Sequence, residues 1–224
     1  MTQRWLPHIY PEGAWLFVTW HLYGSLPRAL YPPPGKPSAG KAFVWMDRYL
    51  DTTRLGPSFL RRPEAAGLVV ATLQRGLDKG LYDLRAFVVM SNHVHILLRP
   101  QQRASRLLQW LKGTTARDAN QMLTRTGKPF WQRESYDYWV RDGQGLERVA
   151  TYLESNPVKA GITAVQRLGN GELKFRRCAL KRTPQTRRYY IVAHASACCC
   201  RLQPAVKLRD RRRREFDLDL MLGS

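Results

Sequence analysis

The order of apolar and polar positions divides the first two thirds of the chain into short strands and amphipathic helices. Residues 14–23, AWLFVTWHLY, are dense in aromatic and β-branched side chains and stop at Gly24, which predicts a buried strand. Three consecutive prolines at 32–34 remove backbone donors and fix the torsions, so a loop follows. Helical periodicity returns over residues 43–50. Between residues 64 and 81, Ala66, Val69, Val70, Leu73 and Leu77 recur at helical spacing behind Pro63, a residue suited to a first turn. Residues 84–90 and 93–98 are two apolar runs joined by Ser91-Asn92, the proportions of an antiparallel hairpin through the sheet centre. Residues 103–123 resume a helix, with Leu107, Leu108, Leu111 and Met122 inward and Arg103, Arg106, Lys112 and Arg117 outward. An irregular aromatic stretch, 130–140, precedes a last helix from about Leu146 to Asn156, where Pro157 disfavours helical torsions in the residue before it. This order predicts an α+β fold: a ferredoxin-like sandwich, one central antiparallel sheet with helices packed on it, near the split βαβ arrangement.

Composition adds a partner to that picture. The 224 residues are 44% apolar, enough for one good core, so residues 1–165 are read as a single domain. Lys and Arg number 37 against 17 acids, a formal charge of +20, which points to a polyanion. Residues 1–165 carry 22 basic and 12 acidic side chains and residues 166–224 carry 15 and 5, so each part nets +10. The globular body is therefore basic in its own right, as suits nucleic acid, DNA or RNA. Residues 166–224, weakly periodic and ending near the run Arg211 to Arg214, are expected to be a partly disordered basic extension. No run approaches a membrane span of roughly 18 apolar residues, and the first 15 residues lack a signal peptide's apolar stretch, so a cytoplasmic protein is expected. Cys178 and the run Cys198 to Cys200 contain no C-x-x-C pair and read as reduced thiols.

Two patterns carry chemistry. His93-Val94-His95 lies inside an apolar strand, whose alternation projects both imidazoles from one face, where they can share an ion. Taken alone, the pair reads more often as two tolerated strand histidines than as a metal site. In Thr151-Tyr-Leu-Glu-Ser-Asn-Pro157, Tyr152 and Asn156 are four apart and share one side of a helix, on the flank of the stripe Leu146, Val149, Leu153. That flank is the border between core and solvent, a place for a reactive hydroxyl, although Tyr152 taken alone reads more often as an ordinary interface aromatic.

Together these segments resemble the single-tyrosine HUH transposases, and within them the REP-associated tyrosine transposases of bacteria. The resemblance rests on MSNHVHILL (90–98), FWQRESYDYWVRD (130–142) and YLESNPVKAG (152–161), with the strand leading into Gly24-Ser25-Leu26-Pro27, and spans about residues 14–162. It implies a ferredoxin-like fold that binds single-stranded or hairpin DNA, His93 and His95 as metal ligands, Asn156 as third ligand and Tyr152 as nucleophile. The implied metal is magnesium or manganese. Beyond the Asn-Pro-Val motif, relatives commonly continue into an aromatic-Ser-Ser segment that this chain lacks.

The chemistry agrees with that set. Two neutral imidazoles and an amide leave a divalent ion's charge uncompensated, which favours a phosphate oxygen as the next ligand, and imidazole tilts the preference towards manganese, with activity expected in either ion. A phenol, with a reference pKa near 10, is a passable nucleophile and leaving group, so a covalent step through Tyr152 is reversible, giving a 5′-phosphotyrosine and a free 3′-hydroxyl that can be rejoined. No separate base is evident. Trp131, Tyr136, Tyr138 and Trp139 are candidates for stacking unpaired bases, with Arg133 and Arg141 on phosphates; a packed aromatic cluster is the equal alternative. Lys112 and Arg117 are further candidates for DNA contact, against a plain solvated helix face. The rival function is a domesticated or inactive relative acting only as a hairpin DNA- or RNA-binding module. The RNA-binding form of it is disfavoured because no segment carries the aromatic signature of RNA-binding sheets. Monomer and homodimer are both compatible with the sequence.

Overall fold

In the computed structural model, residues 10–30, 38–159, 165–167 and 173–175 are described. Seven residues, five of them apolar, form β1 (Trp15–His21), and burial is continuous, not alternating, from Leu16 to His21 because helices cover both faces of the sheet. A short 3-10 turn at Arg28–Leu30 precedes α1 (Ala39–Thr52), capped by the Ser38 hydroxyl, which accepts from the Lys41 N–H. A second 3-10 turn, Phe59–Arg61, leads into α2 (Pro63–Asp78), with proline at its start as expected. Strands β2 (Tyr82–Val89) and β3 (His93–Pro100) form the antiparallel hairpin, α3 (Ala104–Met122) follows, then β4 (Tyr136–Val140) and α4 (Gly143–Lys159).

The four strands make one antiparallel sheet in the order β2-β3-β1-β4, the strand order of a ferredoxin-like sandwich. Strands β3 and β1 occupy its centre. Strand β2 lies at the edge, so only half of the hairpin runs through the middle. The two faces bury different cores. Leu16, Val18, Trp20, Val94, Ile96 and Leu98 pack with α2 and α3, whereas Phe17, Val88, Leu97 and Tyr136 pack with Phe43, Met46 and Leu50 of α1 and Val149 and Leu153 of α4. The register shifts between Leu84 and Ala86, the mark of a bulge, which releases Arg85 to an ion pair with Glu147 of α4 at 2.8 Å.

Three sequence expectations are corrected. Helix α4 continues through Pro157 to Lys159, since a proline in a last turn forfeits a single N–H bond. Met122 is exposed at the end of α3. Lys112 does not reach outward: its ammonium donates to the carbonyls of Gln132 and Arg133 at 2.9 Å each, pinning the approach to β4 onto α3. The proline loop and nearly all of the 166–224 extension lie outside the described residues. Val165–Arg167 (β5) and Leu173–Phe175 (β6) pair as a separate antiparallel ribbon. Among the described residues no helix is long and apolar enough to cross a membrane.

Candidate active site

Strand alternation places His93 and His95 on the α1/α4 face of the sheet and Val94 on the other, as the sequence pattern requires. Both imidazoles are fully buried, and their Nε2 atoms stand 2.9 Å apart. Asn92 determines what that contact means. Its side-chain N–H donates to the Leu50 carbonyl at 3.0 Å, so its Oδ1 faces His93 Nδ1 at 2.7 Å and must accept from it. His93 therefore carries its proton on Nδ1 and turns a bare Nε2 inward. Burial, reinforced by the electrostatic influence of the neighbouring His95 and His21 rings, holds His93 well below the usual histidine range, so it stays neutral at ordinary pH. Thr19 Oγ1, a hydroxyl able to donate or accept, lies 2.7 Å from His95 Nδ1 on the neighbouring strand. With both Nδ1 atoms engaged from outside, the two Nε2 atoms converge. Adjacent ligands of an octahedral ion with bonds of about 2.1 Å are separated by about 3.0 Å, the spacing these two atoms have.

Helix α1 supplies what the sequence reading missed. Asp47 Oδ1 lies 3.1 Å from His95 Nε2 and 3.7 Å from His93 Nε2, and Asp51, one turn on, lies 3.7 Å from His93 Nε2. Asp47, His93 and His95 offer ligand atoms all within 4.8 Å of one another. Asp47 Oδ1 and Asn156 Oδ1 are buried oxygens without a hydrogen bond. Buried oxygens without a hydrogen bond, in one cluster with the bare His93 Nε2, are what a divalent cation would relieve, so the donor set, mixed nitrogen and oxygen, fits one. A carboxylate in that set means the ion's charge is partly balanced by protein, unlike the neutral set of two imidazoles and an amide.

The Tyr152 hydroxyl donates to Asp47 Oδ2. Asn156, one turn along α4, directs its amide nitrogen at three groups: the Tyr152 hydroxyl and His95 Nε2, each at 3.3 Å, and Asp47 Oδ2 at 3.4 Å. As placed, nitrogen and not oxygen faces the centre; a half-turn of the amide exchanges them. The sequence puts Tyr152 on the border of core and solvent, yet it is 3% exposed. The reason is α1, which closes over the sheet: the ring lies edge-on to Phe17, Phe43 and His95, with centroids 6.0–6.3 Å away. Two further buried groups flank the centre. His21 pairs across the sheet with His93, and its Nδ1 lies 2.9 Å from Ser25 Oγ. Burial brings the His21 pKa down to about 4, with the charge of Lys112 adding to the shift and a hydrogen bond to the Leu22 carbonyl opposing it.

The candidate DNA-contacting residues separate. Trp131 and Tyr136 belong to the two cores: Trp131 Nε1 donates to Thr115 at 2.8 Å with its ring edge-on to Trp20, and Tyr136 stacks on Phe43 at 4.2 Å. Neither offers a face to a base. Tyr138 and Trp139 are half-buried on β4. Arg133, Arg141 and Arg117 are exposed, Arg141 over the Trp139 ring at 5.3 Å and Arg117 3.3 Å from Asp118.

Residues 69–156, which contain His93, His95, Tyr152 and Asn156, match the family model described as transposase, IS200-like. The resemblance read from the motifs is thus met over the segment that carries them. Asp47 and Asp51 fall outside that span. A solved REP-associated tyrosine transposase bound to a REP hairpin is similar at 15% identity and a TM-score of 0.42, covering 72% of this chain and 75% of its own. A candidate transposase from Deinococcus radiodurans R1 is similar at 16% identity and a TM-score of 0.37, covering 69% and 98%. No curated protein matches the sequence significantly.

Proposed function

We propose that this chain is a cytoplasmic, metal-dependent single-tyrosine transposase that nicks and rejoins single-stranded or hairpin DNA through a covalent 5′-phosphotyrosine. One observation carries the reading: a phenol, a carboxylate, an amide and two imidazole nitrogens from three elements converge within hydrogen-bonding distance in a buried pocket of a strongly basic protein. His93, His95 and Asp47 would hold the ion, with Asn156 completing the set through its amide oxygen. When bound, a divalent ion there polarises a phosphate oxygen and makes the phosphorus more electrophilic.

The protein's own groups do the rest. Asp47 Oδ2 accepts the Tyr152 proton as the phenolic oxygen bonds to phosphorus; the bond from phosphorus to the 3′-oxygen breaks, and that oxygen leaves with a proton from solvent. Asn156 orients the phenol from one turn away. The reverse reaction, attack by a 3′-hydroxyl on the phosphotyrosine with Asp47 returning the proton, rejoins strands without an external energy source. Because Tyr152 is 3% exposed, a phosphate reaches it only when α4 and α1 part.

A labelled hairpin oligonucleotide with an unpaired flank, incubated with the protein and manganese and resolved on a denaturing gel, tests the reading. A slow-migrating covalent adduct is expected, lost in Tyr152→Phe and in His93→Ala. An adduct that persists in Tyr152→Phe overturns the nucleophile, and one that ignores His93→Ala overturns the metal centre.

A further inference from the structure

Four large apolar side chains of the described residues stand exposed, and three of them lie on the two loops that follow β1 and α1: Tyr23 (51%), at the end of β1, Leu30 (39%) and Leu55 (76%). The loops touch. Gly56 adopts φ +83° against Gly24, and a Cβ on it would meet the Gly24 carbonyl at 2.9 Å, so Tyr23 and Leu55 each adjoin a glycine of the contact. Hydrogen bonds tie these loops to the centre. Leu22 N–H donates to the Asn92 carbonyl at 2.8 Å, Asn92 holds both His93 and the Leu50 carbonyl, and Tyr23 lies two residues beyond His21, the cross-strand partner of His93.

Exposed cations lie on and beside the same loops. Arg54 precedes Leu55. Tyr23 N–H donates to the Phe130 carbonyl, two residues from Lys128, and Gln132 N–H donates to the His21 carbonyl, one residue from Arg133. The nearest acids on these segments are Asp51, whose carboxylate faces His93, and half-buried Glu134. An exposed aromatic ring flanked by cations is the composition that grips unpaired nucleic acid, with rings under bases and cations on phosphates.

We propose that the loops carrying Tyr23, Leu30 and Leu55, with Arg54, Lys128 and Arg133, form the surface on which unpaired DNA next to the reacting phosphate docks, Tyr23 stacking on a base. The proposal rests on the DNA-cleaving reading of the centre and places its strand entrance at the β1–β3 end of the sheet. It also moves base stacking away from Trp131 and Tyr136, whose rings are packed inside.

Fluorescence anisotropy with a labelled single-stranded DNA, its duplex and an RNA of the same sequence tests it, each variant being checked for unchanged thermal unfolding. Tyr23→Ala should weaken single-stranded DNA binding about ten-fold, Tyr23→Trp should restore it, and Arg133→Gln should weaken it and flatten its salt dependence. Wild-type affinity in Tyr23→Ala, with the wild-type chain still forming its covalent adduct, overturns the docking surface and leaves the cleavage reading standing. Tyr23-dependent binding with no adduct does the opposite. Binding of RNA in preference to DNA, or a wild-type dimer that Tyr23→Ala dissociates without changing DNA affinity, overturns the surface in favour of another partner.

Discussion

Asp47 touches every working group of the centre: the Tyr152 hydroxyl, the Asn156 amide and both imidazole nitrogens. Replacing it by asparagine keeps the volume and removes the proton acceptor, so Asp47→Asn should slow adduct formation about 100-fold or more in a single-turnover gel assay while thermal unfolding stays cooperative. A wild-type rate would assign the proton elsewhere. Asn92 and Thr19 act one step further out: Asn92 leaves Nε2 as the bare nitrogen of His93, and Thr19 anchors His95 at its Nδ1. Asn92→Leu is expected to lower manganese affinity 10- to 100-fold by calorimetry, and Asn92→Asp, which keeps an acceptor for His93, much less. The sequence made His93 and His95 legible because strand alternation alone puts them on one face. Asp47 was not, because an acid on a helix reads as a solvated position. The signal was there nonetheless: Asp47 and Asp51 are like charges four apart, an unfavourable pair, set beside the buried Phe43, Met46 and Leu50.

At the scale of elements, period was informative wherever burial was one-sided. Helices α2 and α3 and the β2–β3 hairpin followed from it to within a few residues. Contacts between elements were not legible, because spacing says which face is apolar and not what covers it. Lys112 reads as a surface group and Trp131 equally as a base-stacking or a packed ring, and both tie α3 to the approach of β4. Helix α2 offers a paired test of such contacts. A Cβ on Gly76 would meet Tyr82 Cε1 at 2.6 Å and Trp110 at 3.0 Å, whereas Gly67 has nothing within 4 Å. Gly76→Ala should therefore cost about 1–3 kcal/mol in urea unfolding despite alanine's better helix propensity. Gly67→Ala should stabilise by up to about 1 kcal/mol. Equal effects at the two sites would mean that α2 does not approach β2 as described.

The whole molecule joins a strongly basic composition to a buried centre, and its stability should register the buried histidines. His21 titrates near 4 in the fold against 6.5 in an open chain, so the unfolded state takes up the proton first as pH falls. The stability is present in full above about pH 6.5 and is lost between 6.5 and 4, by about 3 kcal/mol for this group alone, with His93 acting in the same direction. Urea unfolding at pH 7 and pH 4.5 measures the loss; His21→Gln should reduce it, and a slope unchanged in that variant would place the proton uptake elsewhere. Charge and fold class were readable at this scale from composition and element order. The burial of Tyr152 was not, because it depends on α1 folding over the sheet. The most direct test of the account is intact-mass and peptide-mapping spectrometry of the protein after incubation with hairpin DNA and manganese. The account predicts a mass gain equal to one 5′-phosphorylated DNA fragment less one water, carried by the peptide containing Tyr152. No gain, or a gain on any other residue, would contradict it.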